Sequence, residues 1–421
     1  MDQPIFTALL LIAGFGLAIA AQRRSWQPSL RVTLATGLAF RVVLLVLAAT
    51  SAWQPVDFLE GFKPAGEAVL HGQDPVLSTD GSWHFLPMVP YFYALGLSVG
   101  LPWVVAGRLC TFIADMVLIV LVGKLAGPAR GRMRRFQYAC NPIALMVSII
   151  HAQVEPVALA FLVGAYVVAM PARDRAGDGR AAIIRAVSVG ALFGLSLSAK
   201  SWPIVLLPVV LSMLPTWRLR LYGLIAAGAV PLAFLATLPL FVKSSWQSII
   251  NVAQYVGGVR PIVGEWGWTA LLTGGNWDLV PAYSRIGQIV LYASLGVVAW
   301  MWRRGNRLDM TTAMLLAFMI VTPRMGAQYL LWFTPFLVAR PTRWSQWAIG
   351  VSAVWAGIGY LALTQLGETD WWIAHSWWAR ASILVIPFLA LAMPWDRRQS
   401  SSEPKPPPEA PSTPEPAMTA G

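Results

Sequence analysis

Trp53–Gly107, WQPVDFLEGFKPAGEAVLHGQDPVLSTDGSWHFLPMVPYFYALGLSVGLPWVVAG, stands between two strongly apolar segments. Connections of that length are as a rule either functional or disordered. This one is too rich in Trp, Tyr, Phe and Leu to be disordered. It holds two of the four histidines, His71 and His84, and five acids: Asp57, Glu60, Glu67, Asp74 and Asp80. The expectation is an ordered reaction chamber on one side of a membrane, with Asp57 where the chain leaves the bilayer.

The flanking composition supports the membrane. Hydrophobic residues make up 57% of the chain, charged residues only 12%, and the mean hydropathy is +0.60. Soluble domains carry about 25% charge. The apolar residues come in runs such as Ile5–Ala21, Leu221–Val242 and Trp347–Leu363. Runs near twenty residues match the thickness of a bilayer, and a buried helix of a large soluble protein does not explain so many of them. The first run lacks a basic start and is followed by Arg23 and Arg24, so it reads as a retained helix rather than a signal peptide. Cys110 and Cys140 lie beside or within apolar runs and indicate neither a disulfide framework nor a metal site.

The reading is an all-α, polytopic transmembrane bundle of about thirteen helices. They are placed near 5–21, 30–52, 107–126, 137–151, 154–171, 182–199, 201–215, 221–242, 286–302, 309–323, 328–340, 344–364 and 379–394. Segment 85–105, with its Pro and Gly, is expected to lie along the interface, placing Trp83, Tyr91, Tyr93 and Trp103 at headgroup level. One set of alternate connections, with the helix ends beside them, then holds nineteen basic residues and the other seven. That asymmetry makes the first set cytoplasmic, the N-terminus external and the C-terminus cytoplasmic. It also accounts for the net charge of +12 without nucleic acid. Residues 1–398 form the membrane unit, with 53–106 its extracytoplasmic loop. Residues 399–421 are a Pro/Ser/Glu tail that cannot form a core.

Several polar groups fall at the outer end. Asp57 follows the second helix by a few residues, where a partly desolvated carboxylate with a raised pKa would suit a general base. The plain alternative is a solvated loop acid. His151, Gln153 and Glu155 stand together at a turn between two short helices. Polar groups at membrane depth usually face inward to a cavity, though such a turn can also simply meet water. Lys200 in LSLSAKSWPIVLLP and Arg324 in TPRMGAQYLLWFTPF lie between apolar runs, and Gln328 follows Arg324 by one turn. Each cation either faces the cavity to bind an anion or snorkels to the interface. Glu265 and Trp266 stand side by side on an outer connection rich in Trp; such tryptophans either belong to the aromatic belt or, with Glu265, hold or stack on a sugar. Arg41 and Asp115, inside the second and third helices, are candidates to pair. An acid beside two cations suits a substrate with a hydroxyl to deprotonate and a phosphate to leave.

Taken in order, Asp57, AGEAVLHGQDPV, FLPMVPYFYALG, GRLCTFIADMVLIVLVGKL, CNPIALMVSIIHAQVEP, SAKSWPIVLLP and QYLLWFTPF resemble the membrane-embedded glycosyltransferases of the C-type fold (GT-C). The likeness is to bacterial polyprenyl-phosphate-mannose-dependent mannosyltransferases and spans about residues 30–340. The resemblance implies inverting transfer of a hexose, mannose above all, from a polyprenyl-phosphate donor to a lipid or glycan acceptor, at the extracytoplasmic face of the plasma membrane. It implies no nucleotide donor, no metal and no cofactor. The family's acid in the first outer loop falls on Asp57, and its helix-borne Lys before a Pro falls on Lys200. Val76 replaces the Tyr usual after the Gly72-to-Pro75 turn, and one extra helix precedes the family's first. Asp57 is then the base, Lys200 and Arg324 the phosphate-binding cations, and His151, Gln153, Glu155, Glu265, Trp266 and Gln328 the substrate-binding groups. A transporter or flippase of a lipid-linked saccharide would use the same cations and aromatic residues without a base. A non-catalytic subunit of an envelope-synthesis complex would need only surface contacts.

Overall fold

The computed structural model describes residues 2–79, 81–170, 179–258, 266–274, 276–366 and 374–397. Glu265, Asp80, Asp370 and the tail from 398 onward lie outside them. The described residues form helices and turns, and six helices are long and apolar enough to cross a membrane. Their extents are Gln3–Arg23, Leu30–Thr50, Trp103–Leu125, Arg180–Ala199, Trp217–Phe241 and Ser376–Arg397. Exposed Leu221, Leu224, Ile225, Leu232 and Leu240 on the fifth give it an apolar outer surface of the kind lipid covers.

The shorter helices depart from the sequence expectation. The helix expected over 137–151 is divided into Gly131–Ala139, Pro142–Leu145 and a π-helical turn, Met146–Ile150. Pro142 forces the first break, since it cannot donate to a continuing helix. The segments expected over 201–215 and 328–340 each begin as a 3-10 turn, Trp202–Leu206 and Ala327–Leu331, ahead of Leu207–Ser212 and Thr334–Ala339. The segment over 379–394 is likewise interrupted by the 3-10 turn Ser382–Leu384. Pro203, Pro208, Pro335 and Pro387 sit at the starts of these pieces.

We label Asp2–Arg23 α1, Leu30–Thr50 α2, Lys63–Leu70 α3, Met88–Ser98 α4, Trp103–Leu125 α5, Gly131–Ala139 α6, Pro142–Leu145 α7, Glu155–Ala169 α8 and Arg180–Ala199 α9. Leu207–Ser212 is α10 and Trp217–Phe241 α11. Helices α9 and α11 meet through small residues. A Cβ on Gly190 would stand 2.1 Å from the Gly223 carbonyl oxygen, and one on Gly194 2.8 Å from that of Ala227. Gly190-x-x-x-Gly194 faces Gly223-x-x-x-Ala227, the small-residue spacing that lets membrane helices approach closely.

The first long connection is ordered around its own core. Phe58, Phe62, Trp83, Tyr93 and Trp103 are buried together. Trp103 Nε1 donates to the Phe58 carbonyl at 3.1 Å, and its ring meets Tyr93 edge-on at 5.2 Å. Trp83, Tyr93 and Trp103 therefore fill this core instead of presenting their rings on the surface, where packing buries the large apolar area of each. Tyr91 is half-buried. Helix α4, at 11 residues, is too short to span, and Phe92, Leu95 and Val99 line its exposed face. Asp74 Oδ1 accepts from the Val76 and Leu77 amides, and its Oδ2 accepts from Ser244 Oγ at 2.9 Å. That acid fastens the loop to the chain after α11.

Candidate functional site

The outer loop starts where Pro55 ends the extended link after α2, and Asp57 opens a π-helical turn, Asp57–Phe62. Such turns re-aim side chains and recur at functional sites. A second π-helical turn, Met146–Ile150, ends immediately before His151. Ala152 then takes a left-handed φ of 59°, which costs a non-glycine residue energy that the surrounding packing must offset. The kink returns Gln153 toward Asp57.

Arg108 of α5 joins the two turns from below. Its Nε donates to the Ile149 carbonyl at 2.9 Å and its Nη2 to Gln54 Oε1 at 2.8 Å, while its guanidinium lies 4.3 Å from the centre of the Phe58 ring. Arg108 is buried, so each of these donors counts. It fixes the root of the Asp57 turn against the chain that presents His151.

The result is a compact polar cluster. Gln153 Nε2 donates to Asp57 Oδ2 at 2.6 Å, and His151 Nε2 lies 3.9 Å from the same oxygen. His151 Nδ1 is 2.6 Å from the Tyr360 hydroxyl. The Asp57 side chain is 53% exposed, whereas the His151 side chain is 11% exposed. A carboxylate thus faces outward with an amide and an imidazole behind it. In the turn that carries it, burial lowers the His151 imidazole to about 4, against the opposing pull of Asp57. His84, half-buried in the outer loop, is also lowered, first by burial and then by the nearby Lys200 charge.

Lys200 closes the inner side. It caps the C-terminal end of α9 in an extended conformation, and Pro203 prevents the helix from continuing. Its Nζ contacts Glu155 Oε1 at 2.5 Å. Glu155 begins α8, where the positive end of the helix dipole favours a carboxylate. The ammonium also stands 5.1 Å from the Phe85 ring centre and 5.7 Å from that of Tyr329. Glu155 Oε2 is buried without a hydrogen-bond partner.

Asp57, His151, Gln153, Glu155 and Lys200 are therefore brought together at one end of the bundle. Arg324 is half-buried and Gln328 buried on the connection that leads into Tyr329. Trp266 is buried, donates from Nε1 to the Met319 carbonyl at 2.7 Å, and packs edge-on against Trp355. Sequence reading noted His84 in the outer loop without giving it a role, and missed Arg108, Tyr329 and Tyr360. Tyr360 is 209 residues from His151 and carries no local signal. Among the described residues, no group of three or more His, Cys, Asp or Glu side chains is arranged to hold a metal ion. Comparisons with protein-family models, curated proteins and solved structures returned no match to this chain.

Proposed function

We propose that the chain is an inverting membrane glycosyltransferase of the GT-C type. In this reading it moves a hexose, mannose first among candidates, from a polyprenyl phosphate to a lipid or glycan hydroxyl at the outer face of the plasma membrane. The observation that carries the reading is the exposed Asp57 carboxylate, held by Gln153 and backed by His151, with the Lys200–Glu155 pair beyond them.

Asp57 takes the proton of the acceptor hydroxyl as that oxygen attacks the anomeric carbon. A new C–O bond forms on one face while the bond to the phosphate oxygen breaks on the other, and its electron pair leaves with the polyprenyl phosphate. Gln153 occupies one lone pair of Asp57 Oδ2 and so fixes the direction of the base. Neutral His151 leaves the negative charge on Asp57 uncancelled, and Tyr360 sets its ring. An ammonium has three donors, and Lys200 commits one to Glu155, so the others meet the charge that grows on the leaving phosphate. Arg324 supplies a second cation on this reading. Preorganised charge of this kind is usually the largest single contribution to catalysis.

The test is sugar transfer by purified protein in liposomes, given radiolabelled polyprenyl phosphomannose and a lipid acceptor pool. Label in a new product with wild type, and none with Asp57→Asn, is the expected result. Full transfer by Asp57→Asn at equal expression removes Asp57 as base. Labelled lipid crossing the bilayer with no new product makes the protein a transporter.

A further inference from the structure

At the end of the bundle opposite Asp57, the last turns of α1, the start of α6 and residues 337–349 enclose a cavity of about 360 Å³. Helix α2, at 21 residues, separates the two ends by about 31 Å at the usual rise of about 1.5 Å per residue. The cavity is within the size range of small-molecule sites, roughly 300–1,000 Å³. Phe15, Ile19, Val338 and Ile349 give it an apolar wall, and Arg130, Arg134 and Arg343 a basic one. None of the described residues lining it is acidic.

Arg134 separates this cavity from an ordinary arginine-rich membrane edge, where guanidinium groups reach out to headgroups. It is only 4% exposed. Its Nη1 donates to Gln22 Oε1 at 2.7 Å and to Gln137 Oε1 at 2.6 Å, and its Nε is buried with no hydrogen-bond partner. Its charged neighbours Arg130 and Arg397 are cations as well. A buried guanidinium among like charges, with an N–H left over, is costly unless an anion joins it.

We propose that this cavity is a binding site for a net-anionic ligand that carries a terminal phosphate, rather than for a zwitterionic phosphodiester. The phosphate is held by Arg134 with Arg130 and Arg343, and the apolar wall receives the acyl chain when the ligand is a lipid. Arg side chains match phosphate oxygens in paired, charge-assisted hydrogen bonds. The site is independent of the transferase reading, since it lies at the other end of the molecule.

Purified full-length protein in detergent would be titrated with dioctanoyl phosphatidic acid, dioctanoyl phosphatidylcholine and inorganic phosphate. Binding would be followed by native mass spectrometry and by the shift in Tm. Phosphatidic acid is expected to bind saturably, and Arg134→Gln to weaken it about ten-fold, the loss of one charge-assisted hydrogen bond. Arg343→Gln changes an exposed side chain, keeps the fold, and is expected to weaken binding about three-fold or more. Binding of phosphatidic acid alone identifies a lipid site, and binding of inorganic phosphate too shows that the phosphate suffices. The proposal fails if wild type binds neither, if phosphatidylcholine binds as tightly as phosphatidic acid, or if both variants keep wild-type affinity.

Discussion

The Arg41–Asp115 and Lys200–Glu155 pairs are both buried, yet they are built differently. Arg41 Nη2 lies 2.7 Å from Asp115 Oδ2, and its Nη1 donates to the Gly37 and Ala139 carbonyls. Asp115 Oδ1 accepts from the Tyr138 hydroxyl at 2.8 Å. Both carboxylate oxygens are engaged, and the network ties α2, α5 and the end of α6. The Lys200 pair has one contact, a Glu155 oxygen without a partner, and two aromatic faces beside the ammonium. In the Arg41 pair neither carboxylate oxygen is left over, and the one nitrogen without a hydrogen bond, Arg41 Nη2, stands against Asp115 itself. The Lys200 pair leaves a carboxylate oxygen and ammonium donors over, at a desolvation cost.

The largest expected effect would break the functional half of this contrast. Asp57→Asn should lower transfer by about 10²–10⁴-fold with an unchanged Tm, as loss of a general base does. On the structural side, Asp115→Asn leaves Arg41 buried without its counter-charge and should cost about 3–5 kcal/mol. A fall in Tm and in yield, with activity per folded molecule retained, is the outcome to check.

Lys200→Met sharpens the comparison. Alone it strands the Glu155 carboxylate and should lower both Tm and transfer. Adding Glu155→Gln should restore most of the Tm while transfer stays down by about 10²-fold or more, the size of a lost electrostatic donor. Recovery of transfer in the double variant would make this pair structural, like Arg41–Asp115.

The pH dependence should be milder. His151 titrates at about 4 in the fold against an ordinary value of 6.5. Between those values the unfolded chain binds more protons, so the contribution to stability is full above 6.5 and is lost as the pH falls toward 4. Melting at pH 7.5 and 5.0 should show this drop in wild type and a smaller one in His151→Gln. Trp266→Phe, with the smallest expected effect on transfer, removes the hydrogen bond to the Met319 carbonyl and part of a fully buried ring. It should cost about 2–3 kcal/mol of stability and leave transfer per folded molecule unchanged. A large loss of transfer with unchanged Tm would return Trp266 to the substrate site.

Much of the candidate site was legible. Asp57 stood out by its place after an apolar helix, and His151, Gln153 and Glu155 by lying together at a turn. The grouping of connections was legible too. Those expected on one side carry Asp57, His151 and Lys200, which do meet at one end. Arg135 reaches the Pro28 carbonyl and Arg397 that of Pro341 at the other. The packing of Trp266 was not legible, because a tryptophan beside an acid looks the same in sequence whether its ring is open to a sugar or meets Trp355 edge-on. The broken helices were only half visible, since each proline marks a break without saying how the chain resumes.

By itself, then, the sequence determined the helical membrane character, through apolar runs of bilayer length, and marked Asp57, His151 and Lys200 as polar groups beside those runs. Tertiary structure decided which buried carboxylate has both oxygens engaged and which keeps one open. It also buried Trp83, Tyr93 and Trp103 in the outer loop and set Arg134 against a cavity. These outcomes depend on contacts between residues far apart in the chain, where hydrogen-bond partners and burial are fixed by packing rather than by neighbours in sequence.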